Sequence, residues 1–559
     1  MGSGGLEEEK IHSRRSTALL LVNASAGLEG CDDQMLPSSF RALECDLHFT
    51  PKMLGKISMV QSLAMSLSCP LWGFCSDRLS RRYVLGFGCL MWGVTTTMLA
   101  SSSTYQDIRL LRTLNGIFLG CIGPVSQSVL ADFSPGGKRG LTFGLIQLSA
   151  NLGRVFGGVL TTALGRVTMF TALPLLAGNG VHGWRVMIGL VGLFSVLLGL
   201  CITNFMPLGT RQRVSALTLE EQQMIARYHQ RYGTNYADHT LPVGGTAPVG
   251  ATRAIGISGP AVGSGPGTRP VGGRVDAVYP TAGSHGLNFV LDVVKYSMTR
   301  ASIVLVVLEG FIGSIPWSGL AFVTMFYQYC GLTDFAAGIA SGMLLVGGMI
   351  GGPVGGLIGD HISRTRSPNH GRPLMAQVSM ILRLPIVFIL LKLTPRSQGS
   401  FAAFAAMSFL LGLSSFAGAA VNRPIMTEVV LPEHRATAFA IAIAIEGVCS
   451  AFFGAPLVGW LAEHRYGYHP TGEAVEKLDE AHRQRNADSL ANAIFVVTIV
   501  PWFISLVLYS LLHLTYGPDK RKNEVISRAR SLIRANIPGL NPDMRSSSVR
   551  DFLHERLAT

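Results

Sequence analysis

Twelve runs of predominantly apolar residues, each close to the length a helix needs to cross a bilayer, leave this chain few folds to choose from. They lie near 17–41, 52–75, 83–103, 107–131, 140–164 and 184–206, and after a long break near 300–327, 335–359, 374–394, 400–427, 436–462 and 489–515. A helix of about 20 apolar residues spans the hydrocarbon, where no water is available to satisfy an open backbone. The sequence therefore predicts an all-α membrane protein with twelve transmembrane helices. Only 14% of its 559 residues are charged, against about 25% in an ordinary soluble domain. The net charge of +13 does not point to nucleic acid, because Lys and Arg punctuate the ends of the apolar runs instead of gathering on one face.

The two sets of six runs carry matching charged turns. Gly73, Asp77 and Arg81, between the second and third runs, recur as Gly356, Asp360 and Arg364 at an offset of 283 residues. Arg78 and Arg82 complete the first turn, whose loop is too short to join anything but antiparallel spans. At an offset of 296, Val125, Asp132, Arg139, Phe143 and Gly158 fall on Val421, Glu428, Arg435, Phe439 and Gly454. Acid then base across a short turn thus appears in both halves. The reading is a duplicated bundle, two pseudo-symmetric six-helix halves, which is a transporter-like layout.

The expected organisation is a cytosolic N-terminus at 1–16, a first bundle at 17–206, a cytosolic linker at 207–299, a second bundle at 300–515 and a basic tail at 516–559. The Lys/Arg bias puts both termini in the cytosol, with the loop near 463–488 as an exception on the opposite side, since it carries Arg465, Lys477, Arg483 and Arg485 beside Glu473, Glu476, Asp479 and Glu480. Which membrane holds the protein is not readable. Leu217–Tyr232 reads as a short amphipathic helix with Thr218 and Glu221 as a capping box. The Gly- and Pro-rich stretch from Pro242 to Gly286 reads as disordered linker. Asn523 to Ile537 suits either a basic amphipathic helix on anionic lipid or a solvated tail. Nine cysteines show neither metal nor disulfide spacing, so no metal or cofactor is expected.

Charges inside the spans are costly and need partners or a wet cavity. Glu29, Asp32 and Asp33 lie within one turn of the first span, and Arg112 stands near the middle of the fourth. We expect this group to line a central cavity, with a proton on Glu29 or Asp32 loosening Arg112. Replacing Glu29 by Gln should then abolish the pH dependence of uptake. A fixed buried ion pair is the alternative. Arg154, Glu309, Arg383 and Glu446 are also embedded, and Arg154 either holds an anionic group or pairs with Glu309 or Glu446 across the halves. Asn115, Gln127, Gln147 and Asn151 add polar contacts, while Trp317 and Tyr327 suit packing. Gly73, Asp77, Arg78, Arg81, Arg82, Asp132, Arg139, Asp360, Arg364, Glu428 and Arg435 form an expected gating set, whose acids and arginines tie the halves together in one state and release them in another. The basic residues among them also satisfy the topology bias alone.

These residues resemble the major facilitator superfamily over about 17–515, apart from the linker. Gly73-x3-Asp77-Arg78-x2-Arg81-Arg82 is similar to its signature between spans 2 and 3, with Ser80 where the family usually has Gly. Leu111-Arg112-x2-Asn115-Gly116 resembles its motif with a membrane-embedded Arg. Gly153-x3-Gly157-Gly158 resembles its glycine-rich motif, without the usual Pro. The stretches Glu29-x2-Asp32-Asp33-x2-Leu36-Pro37, Gln127-Ser128-x2-Ala131-Asp132, Gln147-Leu148-x2-Asn151-Leu152-Gly153 and Gly183-Trp184-Arg185 are similar to the Spinster-type branch of lysolipid and sphingolipid exporters. The resemblance implies a major facilitator fold.

The sequence thus predicts a monomeric secondary active transporter that works by alternating access, with proton coupling as one option. No Gly-x4-Gly-Lys-Ser/Thr is present for an ATP-driven pump, and no catalytic cluster suggests an enzyme. A non-transporting sensor on the same fold is the alternative. Among substrates, a lysolipid-like amphiphile and a small organic anion both stay open, distinguished by an apolar cavity open sideways or a closed polar one.

Overall fold

Helices stand at all twelve positions of the apolar runs. The computed structural model describes residues 3–133, 139–169, 181–207, 294–295, 299–417, 421–430, 435–473 and 475–536. The first half comprises α1 (Ser3–Ser38), a short α2 (Phe40–Leu47), α3 (Pro51–Arg78), α4 (Arg81–Ser101), α5 (Tyr105–Leu119) followed by α6 (Ile122–Phe133), α7 (Arg139–Leu164) and α8 (Gly183–Phe205). In the second half, α9 (Ala301–Gly313), α10 (Ile315–Gly319) and α11 (Val323–Tyr329) form one broken pass. They precede α12 (Asp334–Thr365), α13 (Gly371–Phe388), α14 (Phe401–Leu413), α15 (Arg423–Val429), α16 (Arg435–Phe453), α17 (Ala455–His464) and α18 (Glu480–Asn536). Among the described residues, eight helices are long and apolar enough to cross a membrane. The departure from pure helix is a two-residue ribbon, β1 (Thr168–Met169) antiparallel to β2 (Val181–His182). Most of the 207–299 linker, including its expected amphipathic helix, and the tail past 536 lie outside the described residues. The tail up to Asn536 continues α18 as helix.

Threonine caps start three helices that run the same way. Thr50, Thr104 and Thr333 accept from the backbone N–H of Met53, Asp107 and Ala336 at 3.4, 3.2 and 3.3 Å. Broken helices satisfy one another at mid-membrane. Ser314 Oγ donates to the Glu446 carbonyl (3.1 Å), Ser450 Oγ to the Ser314 carbonyl (3.3 Å), and the Ala455 N–H to Ser318 Oγ (3.1 Å). Irregular backbone in a bilayer persists only with such partners.

Within the halves, α1 packs on α7, α4 on α8 and α3 on α5; α12 packs on α14, and α9 and α13 on α18. The halves meet where α7 packs on α12, and where α3 packs on α16 and α17. These are spans 5 with 8 and 2 with 11, pairs that the internal repeat exchanges. Glycines set the closest approach. A Cβ on Gly153 would lie 1.9 Å from the Gly27 carbonyl, and one on Gly30 would lie 2.0 Å from that of Ala150. Gly153→Val is therefore expected to destabilise the α1–α7 seam by about 1–3 kcal/mol, the usual cost of overpacking. A thermal melt of the purified protein checks this, and an unchanged midpoint would contradict so close an approach.

The two halves meet unevenly. On α12, added Cβ atoms at Gly338 and Gly342 would touch Val155, Val159 and Thr162 of α7. Gly352 and Gly356 lie two heptads further on, on nearly the same face, and meet nothing within 4 Å among the described residues. Neither do Gly144 of α7 and Gly73 of α3. The helices are thus joined toward the end where α1 finishes, called here the far side. They diverge toward the end where α1 starts and α18 finishes, the terminal side.

Candidate functional site

A cavity of about 520 Å³ lies between the halves at mid-membrane. Its first-half wall carries Asp33, Gln34, Ser58, Gln61, Asn151 and Arg154 beside Leu36, Pro37 and Met65. Its second-half wall carries Trp317, Leu320, Val323, Leu344 and Leu345, relieved only by serines such as Ser318 and Ser450. One wall is charged and amide-rich, and the other is apolar with hydroxyls. The cleft between bundles that the sequence predicts is present.

The structure divides the acidic cluster of α1. Asp32 points into the first half, fully buried, and Arg112 Nη1 of α5 approaches its Oδ2 at 3.4 Å. Among the described contacts Arg112 pairs with Asp32 and not with Glu29, because α3 supplies a third partner there. Gln61 Nε2 donates to Asp32 Oδ2 (3.1 Å) and to Asn115 Oδ1 (2.9 Å), while its Oε1 accepts from Arg112 Nη1 (3.3 Å). Asn115 Nδ2 in turn donates to Thr96 Oγ1 at 2.8 Å. Among the described residues Asp32 Oδ1, Arg112 Nε and Arg112 Nη2 make no hydrogen bond of ordinary geometry, although the Trp92 indole acts on the Asp32 carboxylate. Neither Asp32 nor Arg112 lines the cavity, contrary to expectation. Gln61 lines it and touches both, so it is the link between cavity and ion pair.

Asp33, one residue and about 100° further round the helix, faces the cavity instead. Arg154 Nε of α7 donates to its Oδ2 at 2.8 Å, and Arg154 Nη1 donates to Asn151 Oδ1 at 2.9 Å. This corrects the expected pairing of Arg154 with Glu309 or Glu446: the glycine seam of α1 and α7 supplies a nearer acid. Glu309 is buried in the second half, where Asn422 Nδ2 donates to it and Tyr509 OH donates to Asn422 Oδ1 at 2.9 Å. Glu446 lies beside Glu309, against Gly310. Neither lines the cavity. Trp317 does, whereas Tyr327 is packing, hydrogen-bonded to Ser408 at 2.6 Å.

On the terminal side the described gating contacts stay within each half. Arg81 Nη1 donates to the Ser128 carbonyl (2.9 Å), and Arg82 to those of Thr203 and Asn204 (both 2.6 Å). In the second half Arg372 bridges Asp360 (3.1 Å) and Glu428 (2.8 Å), Arg364 stands 4.0 Å from Asp360, and Lys520 reaches Glu428 at 2.9 Å. Asp519 caps α9 through the Ser302 N–H at 2.9 Å, so α18 is clamped to its own half. The side chains of Asp77, Arg78, Asp132, Arg139 and Arg435 lie outside the described residues.

The far side is where the halves are locked. Phe40 of α2 packs on Phe322 with ring centroids 4.7 Å apart and the rings tilted by 48°. Beyond them Arg41 and Glu44 are wholly buried and paired at 2.9 Å. Each Glu44 oxygen accepts twice: Oε2 from Arg41 and Tyr329 OH (3.0 Å), Oε1 from Tyr468 OH (2.7 Å) and the Thr471 N–H (3.2 Å). Arg41 also donates to the Thr471 carbonyl (3.0 Å) and to that of Glu473. Nearby, Arg166 joins Asp334 and Glu476 at 2.7 Å each. The sequence reading missed Arg41, Glu44 and Gln61. An opposite-charge pair at i, i+3 beside Pro37, facing an acid-rich loop on an otherwise charge-poor side, was the available signal for the first two.

The Arg166 hydrogen bonds hold Glu476 below the ordinary carboxylate range. A depressed value in the closed form means its contribution is present at neutral pH and is lost as pH falls through that depressed value. Acidifying the far side below the ordinary carboxylate range is expected to loosen this clasp and raise the labelling rate of a cysteine at Ala337, which is wholly buried about one turn along α12 from Asp334. Arg166→Gln should remove that acid step.

The family profile described as Major Facilitator Superfamily matches residues 23–382 and 303–548. A Haemophilus influenzae relative named for metabolite transport is 29% identical over 185 residues, 33% of this chain and 42% of the relative. The quinolone resistance protein NorA of Staphylococcus aureus is 25% identical over 112 residues, 20% of this chain and 29% of NorA. The chain thus aligns with less than half the length of these curated relatives. Solved structures are similar in fold. A bacterial homolog to the human lysosomal transporter Spinster, inward-facing and unoccupied, has a TM-score of 0.65 at 14% identity, covering 90% of this chain and 98% of that one. The nucleoside transporter NupG has a TM-score of 0.56 at 13% identity, covering 90% and 99%. With the profile spanning both halves, this multi-pass membrane protein belongs to the major facilitator superfamily.

Proposed function

We propose that the protein is a secondary active transporter of an amphipathic solute, driven by protons through alternating access. The two-faced cavity carries this reading. An amphiphile sets its polar group against Asp33, Arg154, Asn151 and Gln61 and its apolar part against Leu320, Val323, Leu344 and Leu345. The resemblance to the Spinster-type branch and the fold shared with that homolog agree with a lysolipid-like solute. The terminal side is taken as cytosolic, so that the far-side locks and the parted terminal ends describe a cytosol-open state.

Asp32 is the coupling group in this reading. Its ionised carboxylate holds Arg112; a proton on Oδ1, the oxygen that accepts no hydrogen bond of ordinary geometry, removes that hold. Gln61 then exchanges partners and carries the change to the cavity wall and α3, which packs on the second half. A ligand shifts the two-state balance only by binding one state better, and Gln61 supplies that differential contact. Flux of a labelled lysolipid into proteoliposomes, with and without an imposed proton gradient, tests the proposal. Gradient-stimulated accumulation supports it; binding without flux contradicts it and leaves the sensor.

A further inference from the structure

Arg383 of α13 is a buried cation with no ion-pair partner among the described residues. It is 3% exposed, and among the described residues no carboxylate lies within ion-pair distance of it. Its Nη1 reaches only the Met380 sulfur at 3.8 Å, and its Nε makes no hydrogen bond. The carboxylate that acts on it electrostatically, Glu309, is engaged by Asn422 instead. Two tryptophans hold the guanidinium, with ring centroids 5.2 Å (Trp317) and 5.4 Å (Trp502) from its carbon. Trp502 is wholly buried, and its Nε1 is also without a partner. Cation–π contacts offset only part of what an unpaired buried ion costs. The resting structure does not repay the burial of this charge.

Trp317 belongs both to this cluster and to the cavity wall, where it is 38% exposed. Arg383 does not line the cavity, so the Trp317 indole is the layer between them. We propose that Arg383, with Trp502 Nε1 beside it, is an anion-anchoring subsite on the otherwise uncharged wall, and that Trp317 is its shutter. When the indole swings aside, a phosphate or carboxylate of the solute reaches the guanidinium. The substrate is then an amphiphile with a formal negative charge. This rests on the amphiphile reading of the cavity and adds the sign of the head group.

The test is equilibrium dialysis of octyl phosphate and octyl glucoside, below their micellar concentrations, against the full chain in nanodiscs, with empty nanodiscs subtracted. The wild type is expected to prefer octyl phosphate. Arg383→Gln should weaken octyl phosphate roughly tenfold or more, the usual size of a charge-assisted contact, and leave octyl glucoside within about twofold; Arg383→Lys should recover part of the loss. Trp317→Ala should strengthen octyl phosphate alone, and it keeps the test open should Arg383→Gln fail to fold. An unchanged phosphate-to-glucoside ratio in Arg383→Gln, or in Trp317→Ala, overturns the subsite while leaving the amphiphile cavity standing. Failure of both compounds to bind the wild type overturns the amphiphile reading and the subsite with it.

Discussion

Asp32→Asn is expected to abolish proton-driven accumulation and to flatten the pH dependence of uptake, in proteoliposomes loaded across a pH series. Asparagine keeps the shape of the protonated acid and cannot be charged, so Arg112 is permanently released. Couplings of this kind are worth about 1–3 kcal/mol, a factor of roughly 5–150, and the loss should fall in that range. Exchange down a substrate gradient should survive. Glu29→Gln leaves the Asp32–Arg112 contact in place and is expected to alter the pH profile less, which revises the prediction made from spacing alone. Arg112→Ala is the harsher change. It strands a buried carboxylate at a cost of about 3–5 kcal/mol, and loss of folded protein should accompany loss of transport. A pH profile in Asp32→Asn identical to the wild type would remove Asp32 from the coupling.

Glu44→Ala is expected to release the far-side lock. Arg41 loses its only carboxylate among the described contacts, and the Tyr329 and Tyr468 hydroxyls lose their shared acceptor. Breaking a buried pair costs about 3–5 kcal/mol, and each 1.4 kcal/mol shifts a two-state ratio about tenfold. The far-open population should therefore rise by two to three orders of magnitude relative to the far-closed one. A cysteine at Val323, buried on the cavity wall behind the lock and labelled by a membrane-impermeant maleimide added on the far side, reads this as a faster reaction. Glu44→Gln, which keeps two oxygen- and nitrogen-based contacts, should fall between. Unchanged labelling in Glu44→Ala would show that the aromatic layer of Phe40 and Phe322 closes the far side without help.

The spans and the duplicated turns were legible, because hydrophobic length and internal repeats are properties of the chain itself. The repeat even indicates that α7–α12 and α3–α17 are equivalent contacts. Partner choice was not legible. Glu29, Asp32 and Asp33 sit within one turn, and which of them meets Arg112 depends on Gln61, brought alongside by a different helix. Arg154 was open to Glu309, to Glu446 or to a bound anion until the Gly27, Gly30 and Gly153 contacts placed Asp33 beside it. Arg41 and Glu44 read as loop charges, since the groups that bury them stand some 285 to 432 positions away in sequence. The gating set was chosen for a terminal-side closure, and its described members instead make contacts within each half.

The central claim is that the halves rock about the cavity, so that one side closes as the other opens. Pulsed electron paramagnetic resonance on two spin-label pairs measures this directly in a background freed of native cysteines. Leu145→Cys with Leu357→Cys reports the terminal side, and Val167→Cys with Phe335→Cys reports the far side; all four positions are exposed. On going from neutral pH to acid pH with lysolipid present, the terminal pair should shorten as the far pair lengthens. Two distance distributions that stay fixed, or that move in the same direction, would contradict the account.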